Sequence, residues 1–225
     1  MTPAHVAGDA VLAGLCSAVY ERDRPTREAA IRALGCEVRQ WIAWGGSEAV
    51  IALDADRARI VVALRGTEVS HWQWRDVAAN LGIPSPWAGP GRAHTGYSRQ
   101  LDRILDRVAL SIRRTGHPVA VTGHSMGGAL ATLLAARLWW RQSACLGLYG
   151  VAEVVTFGAP KALDAEAAAA IGCPVRRYVV DGDPAPLWPP LPGLCHPGPA
   201  IRLPAPRMSL SRGWRVLSIV GERRA

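Results

Sequence analysis

The chain has 225 residues, 49% of them hydrophobic and 20% charged, which is enough to bury one sizeable core and excludes a disordered or low-complexity protein. Its 26 basic and 18 acidic residues leave a net charge of +8, yet no zinc-finger spacing, aromatic RNA platform or sustained basic run accompanies them, which argues against a nucleic-acid partner. No apolar run reaches the roughly 18 residues needed to span a bilayer, and the N-terminus carries no marks of a signal peptide, so a cytoplasmic or peripheral protein is favoured.

In chain order, Val6 to Tyr20 and Thr26 to Leu34 read as helices, the second stopping at Gly35. Glu37 to Trp44 and Glu48 to Asp54, joined by Gly45-Gly46-Ser47, read as a hairpin, and Arg59 to Leu64 as a buried strand. Leu101, Ile104, Leu105, Val108 and Ile112 recur at helical spacing, which predicts one amphipathic helix over Ser98 to Arg114. A strand from Pro118 to Thr122 and a helix from Ala129 to Trp140 follow, then a strand from Val151 to Phe157. A helix over Ala162 to Ile171 and a strand over Val175 to Val180 continue the alternation, and the Pro-rich stretch from Pro184 to Pro206 reads as a packed loop. With no internal repeat, residues 1–225 are expected to form a single domain with a mostly parallel sheet covered by helices on both faces.

Between the strand ending at Thr122 and the following helix lies Gly123-His124-Ser125-Met126-Gly127, a G-x-S-x-G sequence in a strand-turn-helix setting. That setting holds a serine on a sharp turn where its hydroxyl is accessible, and the flanking glycines allow neighbouring backbone to come close. Ser125 is therefore the candidate nucleophile.

A hydroxyl needs a base, and the partners of such an elbow follow the serine in the order carboxylate, then histidine. Of six histidines only His196 lies beyond Ser125, in a loop-like stretch. Glu153, Asp164 and Glu166 sit in a predicted strand or helix and read as structural, whereas Asp181 and Asp183 follow a strand at its carboxyl end, where parallel sheets place functional loops. Either could orient His196. For the oxyanion, the backbone N–H of Met126 at the start of the helix is one donor, and that of Thr67, just after the Arg59 to Leu64 strand, is the expected second.

Arg65-Gly66-Thr67, His94-Thr95-Gly96-Tyr97, the run from Gly123 to Ala131, Val155 to Lys161 and Asp183-Pro184-Ala185-Pro186 together, and in this order, resemble the class 3 lipase family. The resemblance covers roughly Val61 to Gly198. It implies an α/β-hydrolase fold, selects Asp183 over Asp181 and agrees with His196 as the base. Ala185 stands where the family's aspartate segment has valine, and the stretch after His196 is short and proline-rich.

The activity so implied is hydrolysis of carboxylic esters of lipids through an acyl-enzyme, as a triacylglycerol lipase or esterase, with no metal or organic cofactor. A phospholipase A acting on membrane lipids, or a non-catalytic module that kept the fold, are the alternatives. Trp72 and Trp74 fall where lipases of this kind often carry a lid and would suit a lipid interface, and the positive charge would favour peripheral contact with an anionic membrane. The five cysteines match no zinc spacing and read as reduced thiols.

Overall fold

The computed structural model describes residues 3–21, 23–66, 84–87, 89–113, 115–143 and 149–205. Strand β3 (Arg59–Arg65) is the junction of its main sheet. On one side it pairs antiparallel with β2 (Ser47–Asp54), which pairs antiparallel with β1 (Cys36–Trp44) across the expected hairpin. On the other side it runs parallel to β6 (Val119–His124), and β7 (Val151–Phe157), β8 (Val175–Val180) and β9 (Ala200–Leu203) continue the parallel half. The seven strands lie in the order β1-β2-β3-β6-β7-β8-β9.

The alternation of side chains along β3 shows how both faces are buried. Ile60, Val62 and Leu64 pack with α3 (Thr95–Asp102), α4 (Leu105–Ile112), α5 (Met126–Ser143) and α6 (Ala165–Ala169), while Val61 and Ala63 pack against α1 (Pro3–Ala18) and α2 (Arg24–Ala33). Helix α5 is buried from Met126 through Leu138, consistent with its nearly all-apolar first three turns.

Three features depart from expectation. The single helix expected over Ser98 to Arg114 is two, because the chain leaves helical geometry at Ile104 (φ −123°, ψ −9°) and restarts at Leu105. The apolar periodicity survives the break, since Leu101, Ile104, Leu105, Val108 and Ile112 are all buried. The helix expected over Ala162 to Ile171 is only five residues, started at Asp164, whose carboxylate accepts from the Ala167 and Arg92 amides. A small second sheet, β4 (Pro84–Trp87) with β5 (Gly89–His94), escaped the sequence reading because its prolines and glycines mimic a loop.

An ionic network ties the amino ends of the strands to α1. Arg176 bonds Asp9 and Glu153, each at 2.6 Å, Arg59 bonds Asp54 at 3.0 Å and also Glu153, and the Tyr178 hydroxyl donates to Asp9 at 2.7 Å. Burial alone would raise the Glu153 pKa, but the Arg176 hydrogen bond and the charges of Arg59 and Arg176 outweigh it and hold the carboxyl below its usual range. A depressed folded-state pKa contributes stability above the unfolded value of about 4.3 and loses it as pH falls through the folded one. Glu153→Gln is expected to lower stability by about 2 kcal/mol at pH 7, because it removes the carboxylate charge shared by Arg59 and Arg176 and leaves them only Asp54 and Asp9 as anionic partners. Urea midpoints of wild type and variant should converge towards pH 3; a gap that stays constant with pH would refute this role.

Candidate active site

Ser125 adopts φ +52°, the left-handed region that a side chain rarely enters, between the last residue of β6 and the first of α5. Such a backbone costs on the order of 1–3 kcal/mol and persists only where its surroundings fix it. Here the Ser125 amide donates to the Phe157 carbonyl at 2.9 Å, and the Ser125 carbonyl receives the Gly128 amide at 2.9 Å. The chain also closes on itself: a Cβ on Gly123 would collide with the Gly127 carbonyl, and one on Gly127 with the Leu64 carbonyl. Both glycines are thus required by close backbone approach.

The same contact brings the end of β3 to the elbow. A Cβ on Gly66 would lie 3.0 Å from the Gly127 nitrogen and 3.5 Å from the His124 carbonyl oxygen. Met126 is buried at the first position of α5, where helical amides lack intrahelical partners. Thr67, proposed as the second oxyanion donor, and Trp72 and Trp74, proposed for a lid or interface, lie outside the described residues. The described chain reaches Gly66, one residue short of Thr67, at the elbow.

Of the two aspartates, Asp183 is the one that faces inward. Its Oδ1 accepts the Ala185 amide at 2.9 Å, and its Oδ2 would be 2.7 Å from a Cβ on Gly158, the residue after the carbonyl that holds Ser125. Asp181 is exposed and pairs with Arg202 at 3.3 Å. Three backbone links, from Ser125 to Phe157, from Gly158 to Tyr178 and from Asp183 to Val180, connect Asp183 through β8 and β7 to the serine turn.

His196 departs from expectation. Its Nε2 lies 2.7 Å from the Pro186 carbonyl oxygen, and it makes no hydrogen bond to Ser125 or Asp183. It lines a cavity with Ala165, Ile171, Cys173 and Val175, and Gly198, two residues on, sits against Val175 at the amino end of β8. Asp183 lies only three residues before Pro186, yet the His196 ring nitrogen is taken by the Pro186 carbonyl and not by the Asp183 carboxylate. Burial, reinforced by the charges of Arg177 and Lys161, pushes the His196 pKa down to about 4 despite the Pro186 bond. A triad base has a carboxylate beside it, which would push the other way. Chain order leaves His196 as the histidine beyond Ser125, but the loop seats its ring on the Pro186 carbonyl.

A residue overlooked in the sequence completes the elbow. Tyr20, just past α1, receives the Gly66 amide on its hydroxyl at 2.9 Å, sets its ring edge-on to His124 at 6.3 Å between centroids, and carries the Arg65 guanidinium over its face at 5.5 Å. It fixes the strand exit from which the second oxyanion donor is expected. No motif marks a tyrosine so far upstream.

Comparison with known proteins fits this geometry. The family model of class 3 lipases matches residues 61–192. The chain belongs to the class 3 lipase family. It is 33% identical over 107 residues to the secreted mono- and diacylglycerol lipase 1 of Fusarium solani, a match covering 41% of this chain and 29% of that protein. A Caenorhabditis elegans lipase is 34% identical over 110 residues, covering 46% and 29%. The alignments therefore span under a third of either relative. Among solved structures, the triacylglyceride lipase of Rhizomucor miehei superposes with a TM-score of 0.71 at 22% identity over 90% of this chain and 81% of that one. The lipase of Rhizopus microsporus var. chinensis gives 0.70 at 19% over 90% and 76%. The fold of this class 3 lipase family member is thus the α/β-hydrolase fold, and no helix among its described residues is long and apolar enough to cross a membrane.

Removing the Tyr20 hydroxyl strands the Gly66 amide, at a cost of about 1–3 kcal/mol. Tyr20→Phe is expected to slow the reaction of Ser125 with a fluorophosphonate about tenfold, and stopped-time labelling measures it. An unchanged rate would show that Tyr20 only packs.

Proposed function

We propose that this class 3 lipase family member hydrolyses carboxylic esters of lipids through an acyl-enzyme on Ser125. The observation that carries the reading is the left-handed, backbone-locked Ser125, half-buried rather than closed off, with the start of α5 on one side and the end of β3 on the other. Attack of its Oγ on an ester carbonyl develops negative charge on the carbonyl oxygen. The Met126 amide, at the positive end of α5, and the Thr67 amide are the donors for that charge, each contributing on the order of 3 kcal/mol. The Oγ proton passes to the general base that Asp183 orients, that base returns it to the departing alcohol as the tetrahedral adduct collapses, and water activated by the same base releases the acid from the acyl-enzyme. Asp183 is the carboxylate that orients the base and stabilises its charged form. His196, held by Pro186 among cationic neighbours, stays outside this set.

The named activities of the relatives, on acylglycerols, support a lipid ester as substrate. Support for the fold and for the serine is independent of them. Labelling by a fluorophosphonate, followed on gels with heat-denatured protein as control, tests the whole assignment. Ser125→Ala should abolish it, Asp183→Asn should slow it at least about a hundredfold, and His196→Ala should leave its rate within about threefold of wild type. Absence of labelling in the wild-type chain would overturn the hydrolase reading. A hundredfold loss in His196→Ala would return that histidine to the triad. Hydrolysis of a nitrophenyl ester series beside an emulsified triacylglycerol then fixes the preferred acyl length.

A further inference from the structure

Two large apolar side chains are exposed close together on the outer flank of the sheet: Trp44, at 60% of its full accessibility, and Leu110, at 65%. Trp44 ends β1 beside the Gly45-Gly46 turn, and Leu110 lies on α4 one turn after Arg107, whose guanidinium covers the Trp44 ring at 4.8 Å. Arg103, one turn before Arg107, donates to the Gly45 carbonyl at 2.6 Å and so fastens the hairpin tip to this segment.

The charge here is uncompensated. Asp102 and Asp106, the carboxylates of the same segment, are taken by Arg137 and Arg141 of α5. Arg99, Arg103 and Arg107 are exposed, and none enters an ion pair among the described residues. Most other arginines of the sheet have carboxylate partners, as Arg59, Arg65 and Arg176 do. Positive charge is thus concentrated where indole and leucine side chains stand in solvent.

The patch also sits at the reactive edge. Register pairs Trp44 with Ser47 and Glu48 with Arg65, so the hairpin tip is level with the exit of β3 that meets the elbow. Two strand spacings put it roughly 10 Å from that exit.

We propose that Trp44, Leu110 and the arginines Arg99, Arg103 and Arg107 form a docking surface for an anionic phospholipid interface, holding the catalytic edge of the sheet against lipid. The inference rests on the ester-hydrolase reading for its purpose, though not for its physics. Phosphate alone would be satisfied by the arginines. A bilayer or emulsion surface also takes up an indole at the headgroup level and an aliphatic side chain below it, while arginine stems lie along the apolar boundary. Each basic residue close to an anionic surface gives roughly a fivefold gain in partitioning.

The test is cosedimentation of the full chain carrying Ser125→Ala, which binds without turnover, with vesicles of phosphatidylcholine containing phosphatidylglycerol and with phosphatidylcholine alone. Binding is expected only with the anionic lipid. Arg103→Glu with Arg107→Glu should lower partitioning at least about twentyfold, whereas lysine at both positions, which keeps the charge, should retain most of it. Trp44→Ser with Leu110→Ser should cost at least about fivefold. Each variant, restored to Ser125, should label with fluorophosphonate as the wild type does. No binding to anionic vesicles, or equal binding by the glutamate variant, overturns the docking surface. Unchanged binding by the serine variant reduces it to a general polyanion patch and overturns the lipid assignment. Because labelling and sedimentation are separate readouts, a protein that labels but ignores vesicles defeats only the docking inference, and one that binds vesicles but never labels defeats only the hydrolase reading.

Discussion

The rest of this molecule is arranged around one strained turn. A serine at φ +52° is held because four backbones crowd it: its own at Gly127, the end of β3 at Leu64, the preceding turn at Gly123 and the carbonyl of Phe157. Adding a methyl group to Gly127 would push β3 from α5, and adding one to Gly123 would push β6 from α5. The strand order β3-β6-β7 is what the proposed site requires, since β3 ends at the turn, β6 leads into Ser125 and β7 brings the Phe157 carbonyl that fixes it.

That arrangement divides the sheet into two edges of different character. At the carboxyl edge stand the strained Ser125 turn and the Asp183 carboxylate turned to Gly158. At the amino edge Asp9, Asp54, Glu153, Arg59 and Arg176 satisfy one another, with Asp9 and Asp54 fully buried. Stability concentrated at one edge allows strain at the other.

The elements were more legible than the site. Strands β7 and β8 emerge at the residues expected, and Ser125 was visible because a local motif requires a local geometry that its flanking strand and helix confirm. Asp183 was narrowed only to a pair by its position after β8, and the pair separates in space: one carboxylate turns to Arg202 in solvent, the other to Gly158. His196 shows the limit. Chain order made it the sole candidate, but sequence order does not say which group a loop side chain will meet, and this ring is seated on the Pro186 carbonyl beside the cavity lined by Val175. The break at Ile104 and the proline-bearing β4–β5 pair escaped for a related reason, since periodicity reports which side chains are buried and not whether the backbone between them is continuous.

Helix α1 carries the least motif information and lies outside the segment matched by the family model, yet it joins both edges. Near its start the Gly8 carbonyl and Asp9 meet Arg59 and Arg176. Further along, Cys16 contacts Thr122 of β6 at 3.3 Å. Just beyond its end Tyr20 holds Gly66. The eleven steps from Asp9 to Tyr20 cover about 17 Å at the helical rise, matching the roughly 17 Å from the first to the last residue of β6. A strut of that length transmits the rigidity of the ionic network to the oxyanion turn, so a substitution at Asp9, far from Ser125, should be felt at the elbow through Tyr20. The outer hairpin is fastened differently, by Arg103 on Gly45 and by Ser47 on the Gln100 carbonyl at 2.8 Å. Under the proposed docking, the rigid anchoring of β3 and β6 and a separately braced flank would let the surface engage an interface without disturbing the geometry of Ser125.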